Sequence, residues 1–421
     1  MTNELKKVPE LRFPEFDGEW EEKKLNQIVK FSKGKLLGKK DLDESGENYC
    51  ILYGELYTKY GFFINEVKSK TNVNIEKLVK GENNQVLLPS SGETAEDIAT
   101  ASSLNVKNDV YIGGDLNILT PINNDGNFIS LSMNGINKWK IAKLSQGKTV
   151  VHLYNEHLKI LNLNIPVSRE EQQKIGDFFS KLDRQIELEE QKLAKLEEQK
   201  KGYMQKIFSQ ELRFKDENGN EYPEWEEKKF SELLEYSSNG VDKKINNKND
   251  KTYMVNYMDV FKKTKLNSKN RDLLMEVTAT NIQKEKNNLK KGDILFTPSS
   301  ETREDIAKST VVFEDLDNTV YSYHLIRLRP LDNNIFSLKY SNYLSEQYFI
   351  KKQFRRLAQG AQRYTLTKEY FENIKLNLPH IEEQEKIGDF FSKLDENISK
   401  QSQRINELKL RKQGLLQKMF I

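Results

Sequence analysis

The stretch EEQQKIGDFFSKLD at Glu170–Asp183 returns as EEQEKIGDFFSKLD at Glu382–Asp395, thirteen of fourteen positions identical at an offset of 212. The register continues beyond it: Gly202 matches Gly414, Gln205-Lys206 match Gln417-Lys418, and Phe208 matches Phe420. Upstream, ELRF at Glu10–Phe13 returns at Glu211–Phe214, and EWEEKK at Glu19–Lys24 returns at Glu224–Lys229. PSSGETAEDIA at Pro89–Ala99 returns one residue shorter as PSSETREDIA at Pro298–Ala307. LSQG (Leu144–Gly147) matches LAQG (Leu357–Gly360), and a proline follows each glycine nineteen residues on, at Pro166 and Pro379. So long a period is duplication of a whole unit, not a solenoid repeat. The plan is a globular block, a helix, a second block and a second helix, over 1–167, 168–213, 214–379 and 380–421.

Within the repeat, Ile175, Phe179, Leu182, Ile186, Glu189, Leu193, Leu196, Lys200, Tyr203 and Ile207 step alternately by four and three. That 3.5-residue period predicts a coiled-coil stripe. The second copy runs Ile387, Phe391, Leu394, Ile398, Gln401, Ile405, Leu408, Lys412, Leu415, Met419, with polar interruptions at equivalent places. Each stripe needs a partner, and the simplest is the other one, paired antiparallel about a pseudo-two-fold axis. At ~1.5 Å per residue, a helix of about 39 residues is a spacer of roughly 58 Å.

The blocks mix strand-like and helical runs, an α+β (mixed α/β) class. VYIGGDLNILTP (Val110–Pro121) and TVYSYHLIRLRP (Thr319–Pro330) read as strands ended by proline, and Tyr49–Thr58 and Gly292–Ser300 as strands entering loops. Ser341–Gly360 reads as a helix stopped by glycine.

No enzyme chemistry stands out. The nine prolines include no Pro-Pro pair, so the Asn/Asp-Pro-Pro-aromatic turn of adenine methyltransferases is missing, and no G-x-G-x-x-G follows a strand. SQGKT at Ser145–Thr149 lacks the earlier glycine of a phosphate loop, since Ala142 stands there. His152 and His157 fit neither zinc-helix spacing and read as surface or packing residues. The paired acids Glu170-Glu171 and Glu382-Glu383 read as helix-start residues favoured by the dipole. Cys50 is the single cysteine, which excludes an internal disulfide and suits a reducing cytoplasm. No apolar run approaches a membrane span.

Net charge is only +3, so a nucleic-acid partner must be argued from local clusters. Lys33, Lys35, Lys39 and Lys40 crowd FSKGKLLGKK. FKKTKLNSKNR (Phe261–Arg271) and KKQFRRLAQGAQR (Lys351–Arg363) are free of acids. Candidate phosphate contacts are Lys33, Lys35, Lys39 and Lys40 in the first block, and Lys243, Lys244, Lys262, Lys263 and Arg363 in the second. Candidate base readers lie in the Pro-Ser-Ser loops: Ser90, Ser91, Glu93 and Thr94, and Ser299, Ser300, Glu301, Thr302 and Arg303. Helix capping by the Ser or Thr competes with that reading. Tyr53, Tyr57, Tyr321 and Tyr323 read as core aromatics before readers.

A globular unit ending in proline, then EEQ-x-K-I-x-x-F-F-x-x-L-D and a long helix, twice over, resembles the specificity subunits of type I restriction–modification systems. PELRFPEFDGEWEEKKL, GETAEDIATAS with GGDLNI, and SSETREDIA with TVYSYHLIRLRP are also similar to sequences in that family. The resemblance spans essentially the whole chain. It implies two target recognition domains, each reading half of a split, asymmetric DNA site, and helices that set the gap. It further implies two methyltransferase subunits carrying S-adenosylmethionine, translocating restriction subunits, and no cofactor, metal or catalysis on this chain. The rival expectation is a two-headed coiled-coil scaffold for other proteins.

Overall fold

A computed structural model describes residues 7–147, 149–245 and 251–421; Lys148 of the rejected phosphate loop and the first six residues lie outside the described residues. The chain divides into two compact units, Met1–Gln191 with Gln403–Ile421, and Lys192–Ser402.

In the first unit a five-stranded sheet runs in the order Val29–Lys33, Leu116–Pro121, Val86–Pro89, Ser102–Leu104, Phe63–Ile64. A four-stranded sheet runs Lys70–Thr71, Asn48–Ile51, Val110–Ile112, Val79–Lys80, its central pair parallel. The second unit repeats the plan. One sheet is Leu234–Ser237, Ile326–Pro330, Ile294–Phe296, Ser309–Val311; the other is Met275–Val277, Thr252–Val255, Leu316–Tyr321, Asn288–Leu289. Its parallel pair is Thr252–Val255 with Leu316–Tyr321. The mixed α+β class therefore holds.

Three local expectations need correction. Val110–Pro121 is two strands, because Gly113-Gly114-Asp115 passes the chain from one sheet to the other. Thr319–Pro330 breaks likewise between Tyr321 and Ile326. The helix expected over Ser341–Gly360 is regular only over Tyr348–Leu357.

The long helices span Arg169–Phe208 and Ile381–Lys418. Each unit holds the start of one against the end of the other. In the first unit, Asp183 pairs with Lys412 at 2.6 Å and Glu189 with Arg404 at 2.9 Å, so numbering falls along one helix as it rises along the other. In the second, Lys200 meets Asp395 at 2.8 Å and the Phe208 ring stacks on Phe391 at 6.0 Å. Both pairings are antiparallel. Ile175, Phe179, Leu182, Ile186, Ile387, Phe391 and Ile405 are buried, whereas Leu193, Leu196, Leu394, Ile398 and Leu408 are half-buried. Of the half-buried five, Leu394 and Leu408 also pack against the cores of their own units.

Near the helix ends the stripe drifts from its expected line. Met204 and Leu416 take the buried places assigned to Tyr203 and Leu415. An undistorted helix turns every 3.6 residues, and here its wider face enters a globular core. Met204, Ile207 and Phe208 complete the core around Phe230, Phe296 and Phe371. Leu416, Met419 and Phe420 complete the one around Trp20, Phe128 and Leu163.

The repeated sequence blocks converge on one joint. In the first unit the Arg12 guanidinium donates two 2.7 Å bonds to Glu171, and Trp20 Nε1 donates to the same carboxylate at 3.2 Å. In the second, Arg213 donates to Glu383 at 3.2 and 2.7 Å and Trp225 Nε1 at 2.9 Å. Glu171 is 1% exposed and Glu383 0%, so helix-start placement alone does not account for them. The next residue of each motif closes the preceding proline: Gln172 Nε2 donates to the Pro166 carbonyl, and Gln384 Nε2 to that of Pro379. The glycine of each KIGDFF lets the helix touch its block. A Cβ on Gly176 would lie 2.8 Å from Asn127, and one on Gly388 2.7 Å from Lys339.

Candidate nucleic-acid interface

Three segments meet at one edge of the first unit. The Pro-Ser-Ser loop forms the short strand Ser91–Gly92, which pairs with Val151–His152. The LSQG turn leads into that second strand through a bridge from Gln146 to His152. Gly147 sits at φ +132°, and a Cβ there would lie 2.0 Å from the Val150 carbonyl oxygen, so the turn needs glycine. Ser91 Oγ and His152 Nδ1 are 3.2 Å apart, and the His152 ring stacks on Tyr154 at 6.0 Å. Tyr154 in turn carries the Lys33 ammonium 5.7 Å above its ring, which brings in the lysine loop. Asn155 Nδ2 fastens that loop's base by donating to the Ser32 carbonyl at 3.1 Å. Lys33, Lys35, Lys39 and Lys40 are exposed, and among the described residues none of them is in an ion pair.

The second unit assembles the same three pieces. Ser299–Ser300 pairs with Tyr364–Thr365, and Gly360, at φ +136°, opens the LAQG hairpin. Arg363 donates from Nε and a terminal nitrogen to Ser299 Oγ at 3.1 and 3.0 Å. Tyr257 donates its hydroxyl to the Ser299 carbonyl at 2.8 Å, and Arg303 lies 5.0 Å over the Tyr364 ring. The loop after the first sheet strand carries Lys243 and Lys244, both exposed, with Asp242 3.2 Å from Lys244. Tyr323 and His324 stand beside it with ring centroids 3.9 Å apart. Partial burial, then Lys243 and Arg363, hold the His324 imidazolium below the ordinary histidine value, against Asp242. Those charges therefore share one small surface.

The candidates sort by placement. Lys33, Lys35, Lys39, Lys40, Glu93, Lys243, Lys244, Lys262, Glu301, Arg303 and Arg363 are exposed. Ser91 and Ser299 lie at the junction of the loops. Thr94 caps the short helix Ala95–Ile98, its Oγ1 accepting from Asp97 N–H at 3.1 Å; Thr302 Oγ1 accepts from Asp305 N–H at 3.3 Å in a turn that forms no helix, so the capping expectation holds in the first unit alone. Ser90 and Ser300 are buried, and Ser300 donates inward to the Thr302 carbonyl. Lys263 leaves the phosphate-contact set, because its ammonium bonds Glu346 and the Asn342 carbonyl. That group belongs to an inner cluster in which Lys200 bridges Glu346 at 3.2 Å and Asp395 at 2.8 Å. Burial opposes the Glu346 charge, yet Lys263 and Lys200 hold its carboxyl below the ordinary range.

Sequence reasoning missed His152, Tyr154, Tyr257 and His324 as members of this surface. It placed Tyr323 in the core, whereas Tyr323 is 49% exposed; Tyr321 is buried as expected. The one available signal was the LSQG/LAQG register, which puts His152 and Thr365 on equivalent hairpin strands. Among the described residues no cluster of His, Cys, Asp or Glu has the makings of a metal site, and no helix is long and apolar enough to cross a membrane.

The model of the type I restriction modification DNA specificity domain matches residues 17–198 and again 222–410. The chain belongs to that family. Its double match falls on the duplicated unit that the repeats define. The type I restriction enzyme MjaVIII specificity subunit of Methanocaldococcus jannaschii is 23% identical over 438 residues, covering 98% of this chain and 94% of that protein. In structure, the type I restriction-modification system S subunit from M. genitalium superimposes with a TM-score of 0.61 at 15% identity, covering 98% and 99% of the two chains. A chain from a study of complex assembly and conformational transition of the type I R-M system gives 0.53 at 12% identity, covering 95% and 97%. At those identities the structural likeness speaks for the fold.

Proposed function

We propose that this specificity-family chain reads a bipartite, asymmetric duplex sequence, one half-site per unit, and presents it to partner subunits that methylate adenine or cleave. Recognition falls to residues 1–167 and 214–379, and spacing to 168–213 and 380–421. The chain works in the cytoplasm as a non-catalytic subunit. S-adenosylmethionine is held by two methyltransferase partners, and restriction subunits join them.

One observation carries this reading. Both units bring a Pro-Ser-Ser loop and a Gln-Gly hairpin together beside a loop of exposed lysines; Lys33, Lys35, Lys39 and Lys40 of the first have no acidic partner among the described residues, and in the second Lys244 pairs with Asp242. Unpaired lysines on a common edge suit phosphates, and binding there releases counterions. The side chains between them differ from unit to unit: Lys33, His152 and Tyr154 in one, Arg363, Tyr323 and His324 in the other. Phosphate contacts position a protein, while base-edge contacts specify. A shared framework with different tips therefore reads two different half-sites.

The test is to map N6-methyladenine in host DNA with and without this gene. One split, non-palindromic motif should disappear with the gene, and methylation unchanged by its removal would end the proposal. In the assembled complex, Lys39→Ala with Lys40→Ala should reduce the slope of log affinity against log salt by about 0.9 for each phosphate no longer neutralised.

A further inference from the structure

The lysine loop of the first unit holds an apolar residue where solvent and charge would favour a polar one. Gly34 packs so tightly that a Cβ on it would lie 1.9 Å from the Gly113 carbonyl oxygen, and Gly114 N–H donates to the Leu36 carbonyl at 2.6 Å. The backbone is thus clamped on both sides of Lys35. Leu36 and Leu37 follow at φ +50° and +53°, two consecutive left-handed residues that are not glycine. Left-handed backbone is unfavourable for an L-residue, because its Cβ crowds the following carbonyl oxygen. Leu37 has an evident role, since it is buried against Cys50, Leu52 and Tyr111. Leu36 has none inside the fold: it is 57% exposed, flanked by Lys35, Lys39 and Lys40. A single exposed leucine is ordinary. A leucine held out by a clamped, strained loop, amid unpaired ammonium groups, is not, and strain of this kind gathers at functional sites.

The equivalent loop of the second unit sharpens the contrast. Gly240 makes the matching close approach, with a Cβ 2.3 Å from the Ser322 carbonyl carbon. Two residues on, where the first unit has Leu36, stands Asp242, which bonds Lys244 and the Lys243 amide. The same scaffold position is therefore apolar in one unit and acidic in the other.

We infer that Leu36 is a base-reading residue of the first unit, making apolar contact with a thymine methyl group in the major groove while the surrounding lysines hold the flanking phosphates. The inference rests on the DNA-reading proposal above and names one of its specificity determinants. The 5-methyl of thymine is the only apolar group on a major-groove base edge, so it is the feature such a side chain can select.

The test uses the full chain assembled with its methyltransferase subunits and a duplex carrying the motif that disappears with the gene. Each thymine of the half-site assigned to the first unit is replaced singly by uracil, which removes only the methyl. At one position the wild-type complex should lose about fourfold in affinity, the worth of one buried methyl. Leu36→Gly suits the left-handed backbone, and it should bind the thymine duplex about fourfold more weakly and no longer distinguish uracil. Leu36→Asn, which also tolerates this conformation, should behave the same way and guards against a change of loop flexibility. Wild-type affinity indifferent to every uracil, a uracil effect that survives in both variants, or a half-site without an A·T pair would overturn the inference alone. A complex that binds no such duplex, or a methylation pattern with no motif to lose, would overturn the DNA-reading proposal with it.

Discussion

Replacing Arg213 with Met isolates what the repeated Arg–Glu–Trp joint contributes. The change leaves the Glu383 carboxylate, 0% exposed, with Trp225 Nε1 as its remaining partner in the joint. Removing one partner of a buried ion pair costs about 3–5 kcal/mol. Since about 1.4 kcal/mol is tenfold, amides that exchange through opening of the second unit should lose roughly two to four decades of protection. Hydrogen exchange read by mass spectrometry resolves this by unit: peptides over Ile294–Phe296 should lose protection while those over Leu116–Pro121 keep it. Arg213→Met with Glu383→Leu should recover most of it, since an apolar replacement of a buried pair is often near neutral. Half-buried Trp225 then finds water for its N–H. In the first unit Trp20 is 2% exposed, so Arg12→Met with Glu171→Leu strands a buried donor and should recover about 1–3 kcal/mol less. A double variant of the second unit as unprotected as the single one would refute a charge-based joint.

A fragment of residues 1–209 lacks Leu416, Met419 and Phe420 from its core, about 1.5–3 kcal/mol of burial each. It should therefore form a dimer on sedimentation, each copy supplying its own Met204, Ile207 and Phe208 to the other, and a well-folded monomer would contradict this. Duplex binding should strengthen as pH falls, because phosphates oppose the field of Lys243 and Arg363 on His324, so binding takes up a proton there. His324→Gln should flatten that dependence; an unchanged pH slope would assign it elsewhere. Glu346 holds its proton less tightly folded than unfolded, so its contribution is present above the ordinary glutamate value of 4.5 and lost as pH falls below it. In the second unit Glu346→Gln should therefore lower stability at pH 7 and soften the acid limb of the pH–stability curve, and an acid limb of unaltered steepness would count against it.

The helices were legible because their information is periodic and local. A 3.5-residue stripe from Ile175 to Leu196 states a packing face whatever surrounds it. It failed at Tyr203 and Leu415, where the face meets a globular core instead of another helix, and no periodicity reports that change of partner. The role of Glu171 was invisible for a related reason. An acid at a helix start has a sufficient local explanation, and only the fold brings Arg12 and Trp20 to it across more than 150 residues. The interface was half legible: charge clusters located the loops, but Lys263 and Lys33 look alike in sequence, and Glu346 decides that one is spent inside.

The residues that repeat and those that differ have separate physical duties, and this bears on how such a chain can change its target. ELRF, EWEEKK and EEQ supply Arg213, Trp225, Glu383 and Gln384, all of them consumed in the joint between block and helix. The glycines of LAQG and KIGDFF fix a turn and a close approach. The hydrogen bonds of Arg213, Trp225, Glu383 and Gln384 run within the block and the start of its helix. Conversely, the side chains of Lys35, Leu36, Lys39 and Lys40 contribute to neither joint nor helix pair, and Leu36 holds its own out to solvent from a left-handed backbone. Stability and recognition therefore draw on different side chains, so loop tips can be exchanged at little cost to the core. Substitutions in the joint should lower stability in one unit and leave base preference alone, whereas substitutions at the tips should do the reverse.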